Sequence, residues 1–393
     1  MKRINLDQIS SRPLLPEVKS AMIEAINQDC HNPSSQHQDG EKAAEALERS
    51  RTSVAALINA AQPKEVAFTS GGTESVNHAV KGAAFANADK GKHIIISNIE
   101  HNAVIRSARR LQTMGYQVTS ISVDASGRID PAALEKAIRE DTILISIMHS
   151  NNETGTIQPI EQIAEIARKK KILCHTDAVD SVGAVPIDVQ KLGVDLLSFS
   201  ANTFYGPTGV GGLYVRKGAK VFPLLDGGVQ ENNKRAGTEN LIGIIGAGVA
   251  ADIARQQLPH WYEHTLTLKR KLLAEISRRI ESIIINTHPE HSLPNLLSVS
   301  LQFIEGESVM LMLDDEGIAV STRSACATGS LRASHVLTAI GLEHADAQGT
   351  LVLSFGKDNS EADIDRFLNA LEKTVKTLRD ISPLYRKLSQ ERV

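Results

Sequence analysis

The sequence predicts an α/β fold, with a larger domain built on a mostly parallel sheet and a smaller α+β domain. Three observations predict it. Short runs rich in β-branched residues recur between helical patterns, several of these runs are apolar on both faces, and the pattern changes after about residue 250.

The strand-like runs are VAFTS (66–70), HIIIS (93–97), QVTSISV (117–123), TILISIM (142–148), KILCHTDA (171–178), LLSFSA (196–201) and GGLYV (211–215). One intervening helix is legible directly. Val104, Ile105, Ala108 and Leu111 share an apolar face, and Gly115 ends it. Beyond residue 250 a long polar helical stretch contains LKRKLLAEISRRI (268–280). It is followed by strand-like SVSLQF (298–303) and TLVLSF (350–355) and by an amphipathic helix from Glu361. The expected division is 15–255 for the large domain, with 1–14 and 256–393 forming the small one.

Composition excludes several classes of function. The chain has 393 residues, 23% charged, with a formal net charge of -3 and no basic arm, which argues against a nucleic-acid partner. Lys169, Lys170 and Lys171 form the one tight basic run, placed as a solvated helix end. Cys30, Cys174 and Cys326 are too few and too scattered for a disulfide framework, which suits a reducing cytoplasm. No apolar run approaches the ~20 residues that span a bilayer, so no membrane partner is expected.

Several segments carry chemistry. TSGGTES (69–75) follows a strand and opens a helix, where free N–H groups and the helix dipole favour a phosphate and Thr73 adds a hydroxyl. A tight turn would use the same glycines. His101, just past HIIIS, could stack on a flat heteroaromatic ring or be an ordinary loop histidine. Asp177 ends an apolar strand, where a carboxylate needs a cation such as a protonated pyridine nitrogen, or else caps the next turn. Ser200 could bind phosphate. The segment 226–240, with Arg235 and GTEN, shows no periodicity and reads as a long loop with a task.

Taken together, these segments resemble the NifS/IscS-like cysteine desulfurases, of the class-V aminotransferase family. The resemblance runs in order through NPSSQH (32–37), TSGGTES, Glu100-His101, TILISIMHSNNETG (142–155), HTDA (175–178), YGP (205–207), RAGT (235–238), EGES (305–308), SACATGSL (324–331) and SPLYRK (382–387). It implies a fold-type I pyridoxal-phosphate (PLP) transferase with a seven-stranded sheet, acting as a homodimer in iron–sulfur cluster assembly. Thr73, Ser200 and Thr238 would bind the PLP phosphate, Thr238 coming from the partner subunit. His101 would stack on the ring, Asn152 contact it, and Asp177 pair with its nitrogen. Cys326, on a long loop, would take sulfur as a persulfide.

The pattern breaks at the reacting centre. Where the family carries serine-glycine-histidine-lysine, this chain carries Ser200-Ala201-Asn202-Thr203. A threonine forms no covalent link to PLP and is a poor base near neutral pH. Asp180 replaces a glutamine that contacts the phenolic oxygen, Val352 replaces the arginine that grips the substrate carboxylate, and Thr208 replaces a lysine. The leading expectation is therefore a degenerate homologue with PLP absent or noncovalent. It would dock an iron–sulfur scaffold through its tail, with Tyr385 and Arg386 as anchors, and offer Cys326 as a metal ligand of a shared cluster or as a sulfur acceptor. The alternatives are an active PLP-dependent desulfurase, holding PLP noncovalently or through a lysine such as Lys234, and a PLP-free dimeric platform.

Overall fold

The structure is a computed structural model that describes residues 3–10, 12–28, 30–322, 333–383 and 385–386. Its strands are β1 (Ile4–Asn5), β2 (Val66–Thr69), β3 (His93–Ser97), β4 (Gln117–Ile121), β5 (Thr142–Ser146), β6 (Leu173–Asp177), β7 (Leu196–Ser200), β8 (Gly211–Val215), β9 (Ile283–Ile285), β10 (Leu296–Leu301), β11 (Ile318–Ala319) and β12 (Thr350–Ser354).

Strands β2 to β8 form one seven-stranded sheet in the order β2-β8-β7-β6-β5-β3-β4. Only β8 runs against the rest, pairing antiparallel with both β2 and β7. The other pairs are parallel, so β2, β3, β5, β6 and β7 all end at one edge. The runs apolar on both faces are so because both faces are covered. Ile95, Ile145, Leu197 and Phe199 point into one core, and their neighbours Ile94, Ile96, Leu144 and Leu196 into another. Every expected strand is present, though some are shorter. The run at 171–178 pairs only from Leu173, because Lys171 adopts φ 58° as it leaves the Ile160–Lys169 helix. The lysine run is thus a helix end.

The helix expected around 268–280 is much longer: it runs Leu241–Arg279, 39 residues. Its first half is rich in glycine, with Gly243, Gly246 and Gly248; a Cβ at Gly248 would sit 2.8 Å from the Ser50 Cα of the Gln38–Leu57 helix. Gly246 likewise lets the helix approach Met22 of the Pro16–Asn27 helix, where a Cβ would lie 2.8 Å from the Met22 side chain. The same helix sends Leu241, Ile244, Ala250 and Trp261 into the large core and Leu268, Leu272 and Ile276 into a second one. That second core lies under the β12-β10-β9 sheet and the helices Gly306–Asp315 and Glu361–Ile381. The run expected at 298–303 is β10, shifted towards its start because Phe303 turns with φ 71°.

Candidate functional site

The chemistry-bearing segments meet at the edge where the parallel strands end. After β2 the chain turns through Gly71 (φ 154°) into the Gly72–Asn77 helix, whose first turn holds Thr73, exposed. The turn fits closely. A Cβ at Gly211 of β8 would strike the Gly71 Cα at 2.6 Å, and one at Gly72 would strike Val179 at 2.6 Å and approach the Ser200 Cβ at 3.7 Å. The strand ends bearing Thr73, Asp177 and Ser200 are therefore in mutual contact.

After β3, His101 caps the Asn102–Gln112 helix by accepting from the Ala103 N–H at 3.1 Å, and it is exposed. After β5, Asn152 is half-buried in a turn held by its neighbour. Asn151 accepts from the Glu153 and Thr154 N–H groups and donates to the Ile99 carbonyl at 2.9 Å, tying the Asn152 turn to the His101 loop. Thr238, exposed on its loop, lines a cavity of about 80 Å³ with Thr69, Ser70 and Arg235 of its own chain. Cys326 lies outside the described residues. The chain re-enters the described region next to the site: Ser334 Oγ donates to Glu153, and His335 Nε2 lies 3.0 Å from the Glu100 carbonyl.

Asp177 ends β6 at 6% exposure and accepts one hydrogen bond, from the Val179 N–H at 3.1 Å. Burial pushes its carboxyl up to about 6. Behind it Glu100 is fully buried. Its Oε1 accepts from Ser97 Oγ at 2.5 Å and the Met148 N–H at 3.0 Å, while its Oε2 has no partner among the described residues. Burial, with the nearby Asp177 charge, pushes Glu100 up to about 8. Neighbouring imidazoles offer no cation, since burial lowers His149 to about 4 and His175 to about 3. A buried carboxyl without a cation fits a protonated ring nitrogen. With the glycine-lined turn and the exposed His101, the donor set fits PLP.

These carboxyls give the protein a pH dependence. An unfolded chain ionises them near ~4, so above that it releases protons the folded chain retains, and stability falls with rising pH. The fall continues until the folded groups ionise too, at about 6 for Asp177 and about 8 for Glu100. Glu100→Gln is expected to keep the Ser97 and Met148 bonds and flatten the upper part of this decline. Urea midpoints measured across that range check it. An unchanged slope would mean Glu100 is already ionised.

The departures have structural counterparts. Thr203 is buried in the Ala201–Phe204 turn, its hydroxyl donating to the Ser200 carbonyl at 2.8 Å. Asn202 accepts from Ser200 Oγ at 2.5 Å. Val352 is fully buried in the large core, on the opposite face of β12 from Leu351 and Leu353. Asp180, which stands where the family carries a glutamine, has the Arg12 guanidinium within electrostatic reach. Lys234 does not serve this chain's cradle: its Nζ donates to the Lys64 carbonyl at 2.9 Å. Tyr385, expected as a docking anchor, is half-buried on its own chain, against Phe303 with ring centroids 5.8 Å apart and bonded to Glu281.

The model of the aminotransferase class-V family matches residues 4–367. The chain belongs to that family. Among its class-V relatives, a protein named cysteine desulfurase IscS from Dictyoglomus turgidum is 47% identical, over 98% of this chain and 97% of that one. Another of the same name from Methanosarcina thermophila is 46% identical, over 98% and 94%. A solved NifS-like protein superposes with a TM-score of 0.90 at 38% identity, covering 96% of this chain and 100% of that one. SspA, solved in complex with cysteine, superposes with a TM-score of 0.79 at 35% identity, over 90% and 99%. The class-V, PLP-dependent architecture expected from the sequence is thus present. The relatives' names favour the active-enzyme alternative over the degenerate one. Among the described residues no helix is long and apolar enough to cross a membrane.

Sequence reasoning missed Arg12, Glu100 as a buried acid, Asn151, and the ion pair of Arg51 with Glu231. Of these only Glu100 carried a signal, as an acid directly before His101 at a strand end. The others act through contacts between residues far apart in sequence.

Proposed function

We propose that this protein is a cysteine desulfurase of iron–sulfur cluster assembly that works as a homodimer with noncovalently held PLP. The observation that carries the reading is Asp177, a buried carboxyl with no cation beside it among the described residues, set against the glycine-lined turn. PLP would supply an electron sink at the substrate's α-carbon. Asp177 would hold the ring nitrogen's proton, Thr73, Ser200 and a second copy's Thr238 the phosphate, and His101 one ring face. Asn152 would contact the ring. Cys326 would attack the cysteine sulfur. A sulfur–sulfur bond forms as the carbon–sulfur bond breaks, its electron pair stays with the carbon skeleton, and protonation leaves alanine.

The test is PLP titration followed by sulfide release from L-cysteine with added thiol. PLP is expected to bind reversibly, with nothing fixed by borohydride. Cys326→Ala is expected to lose sulfide release by at least ~10²-fold while binding PLP as wild type does. A wild type that binds PLP yet releases no sulfide would overturn the catalytic reading.

A second reading is favoured by Thr203, whose hydroxyl is tied to the Ser200 carbonyl and moves no proton. In it the chain docks a scaffold through its tail, and Cys326 completes a cluster. Cluster lifetime in air after reconstitution with iron and sulfide, wild type against Cys326→Ala, decides that case.

A further inference from the structure

Arg12 is a buried cation beside the site that the reading above leaves without work. It precedes Pro13 in the stretch between β1 and the Pro16–Asn27 helix. That stretch is laced to the cleft from both sides. Ile9 N–H donates to Ser354 Oγ of β12 at 2.9 Å, and Leu15 N–H donates to the Tyr205 carbonyl at 3.3 Å. The side chain is 8% exposed, with its guanidinium 5.0 Å from the centre of the Tyr205 ring. Among the described residues it donates one hydrogen bond, from Nη1 to the Gly183 carbonyl at a long 3.4 Å, and its buried Nε has no partner. Gly183 in turn abuts the departed-lysine turn: a Cβ there would meet the Phe204 Cβ at 2.5 Å and the Thr203 carbonyl at 3.0 Å. Arg12 therefore sits where the Asp177–Asp180 loop, the Thr203 turn and the β12 edge converge.

A guanidinium has five donors in a planar fork, and leaving them buried and unpaired costs several kcal/mol by order of magnitude. Asp180 offsets some of the charge from a distance. It does not fill the fork. A planar carboxylate would, by the two-point geometry that arginine favours. Meanwhile Val352, fully buried in the apolar core, can hold no carboxylate.

We propose that Arg12 binds the α-carboxylate of the amino-acid substrate, entering from the N-terminal stretch rather than from β12. This rests on the PLP reading, so the test separates the two. The probes are N-phosphopyridoxyl-L-alanine, a stable adduct bearing the carboxylate, and N-phosphopyridoxyl-ethylamine, which lacks it. Both are titrated calorimetrically into the full-length protein. Wild type is expected to bind the alanine adduct at least about tenfold more tightly, as one charge-assisted hydrogen-bonded pair supplies. Arg12→Gln is expected to erase that preference and leave ethylamine-adduct affinity unchanged, and Arg12→Lys to keep part of it. Should the glutamine variant fail to fold, the wild-type preference and the lysine variant still decide. No preference in wild type, or an undiminished one in Arg12→Gln, overturns the assignment of Arg12 alone. Failure of both adducts to bind overturns the PLP reading and this one with it.

Discussion

Glu231→Ala is expected to destabilise the protein by about 3–5 kcal/mol, the usual cost of stripping one partner from a buried ion pair. Arg51 and Glu231 side chains are each 1% exposed and meet through two bonds, at 2.5 and 2.9 Å. Glu231 Oε2 also accepts from the Phe68 N–H at 2.7 Å, and Arg51 Nη1 donates to the Val66 carbonyl at 2.9 Å, so the pair grips β2 just before the glycine turn. It holds a strained backbone as well. Glu231, Asn232 and Asn233 all carry positive φ, at 49°, 55° and 62°, each costing roughly 1 kcal/mol or more. From that kink the chain runs to Arg235, which bonds Glu74 at 3.0 Å, and on to Thr238. Losing the pair should therefore loosen both the Thr73 turn and the Thr238 loop. Urea denaturation and PLP titration of the variant read the two effects. The double variant Arg51→Met, Glu231→Leu is expected to lose less stability than Glu231→Ala, which leaves the buried Arg51 with only the exposed Glu48, 3.0 Å from its Nε, as a carboxylate partner. A single variant that loses under about 1 kcal/mol, a surface-pair value, would show the clamp is idle.

Thr203→Lys is expected to convert reversible PLP binding into near-stoichiometric covalent capture, trapped by borohydride and mapped to residue 203. Position 203 is buried on the turn after β7, beside the Ser200 end of the cradle, and the substitution sacrifices one hydroxyl bond to the Ser200 carbonyl. Capture should outrun catalysis, because Asn202 and Val352 are unchanged. No covalent adduct on residue 203 would mean the turn points away from the cofactor. Sulfide release near that of an intact desulfurase would mean the remaining departures are harmless.

How much of this was legible in the sequence differs by kind of feature. The strands from 66 to 215 were readable because a sheet covered on both faces needs runs apolar at consecutive positions, a local property. Thr73, His101, Asp177 and Ser200 were readable because a parallel sheet places the residues after its strands at one edge. Long-range contacts left no such trace. The Leu241–Arg279 helix begins in glycine-rich sequence whose small residues make sense only against Val210, Met22 and Ser50, distant in the chain.

By itself the sequence determined the class-V fold, the strand succession and the missing lysine at Thr203, because periodicity and residue identity are written residue by residue. Only the tertiary structure decided the electrostatics. Asp180 has a cation in reach because Arg12 folds back over the Tyr205 ring, Glu100 is pushed up because its side chain is fully buried, and Tyr385 is already engaged because Phe303 lies against it. Each depends on how far burial removes a group from water and which distant partner it then meets, and neither can be computed from neighbours in the chain.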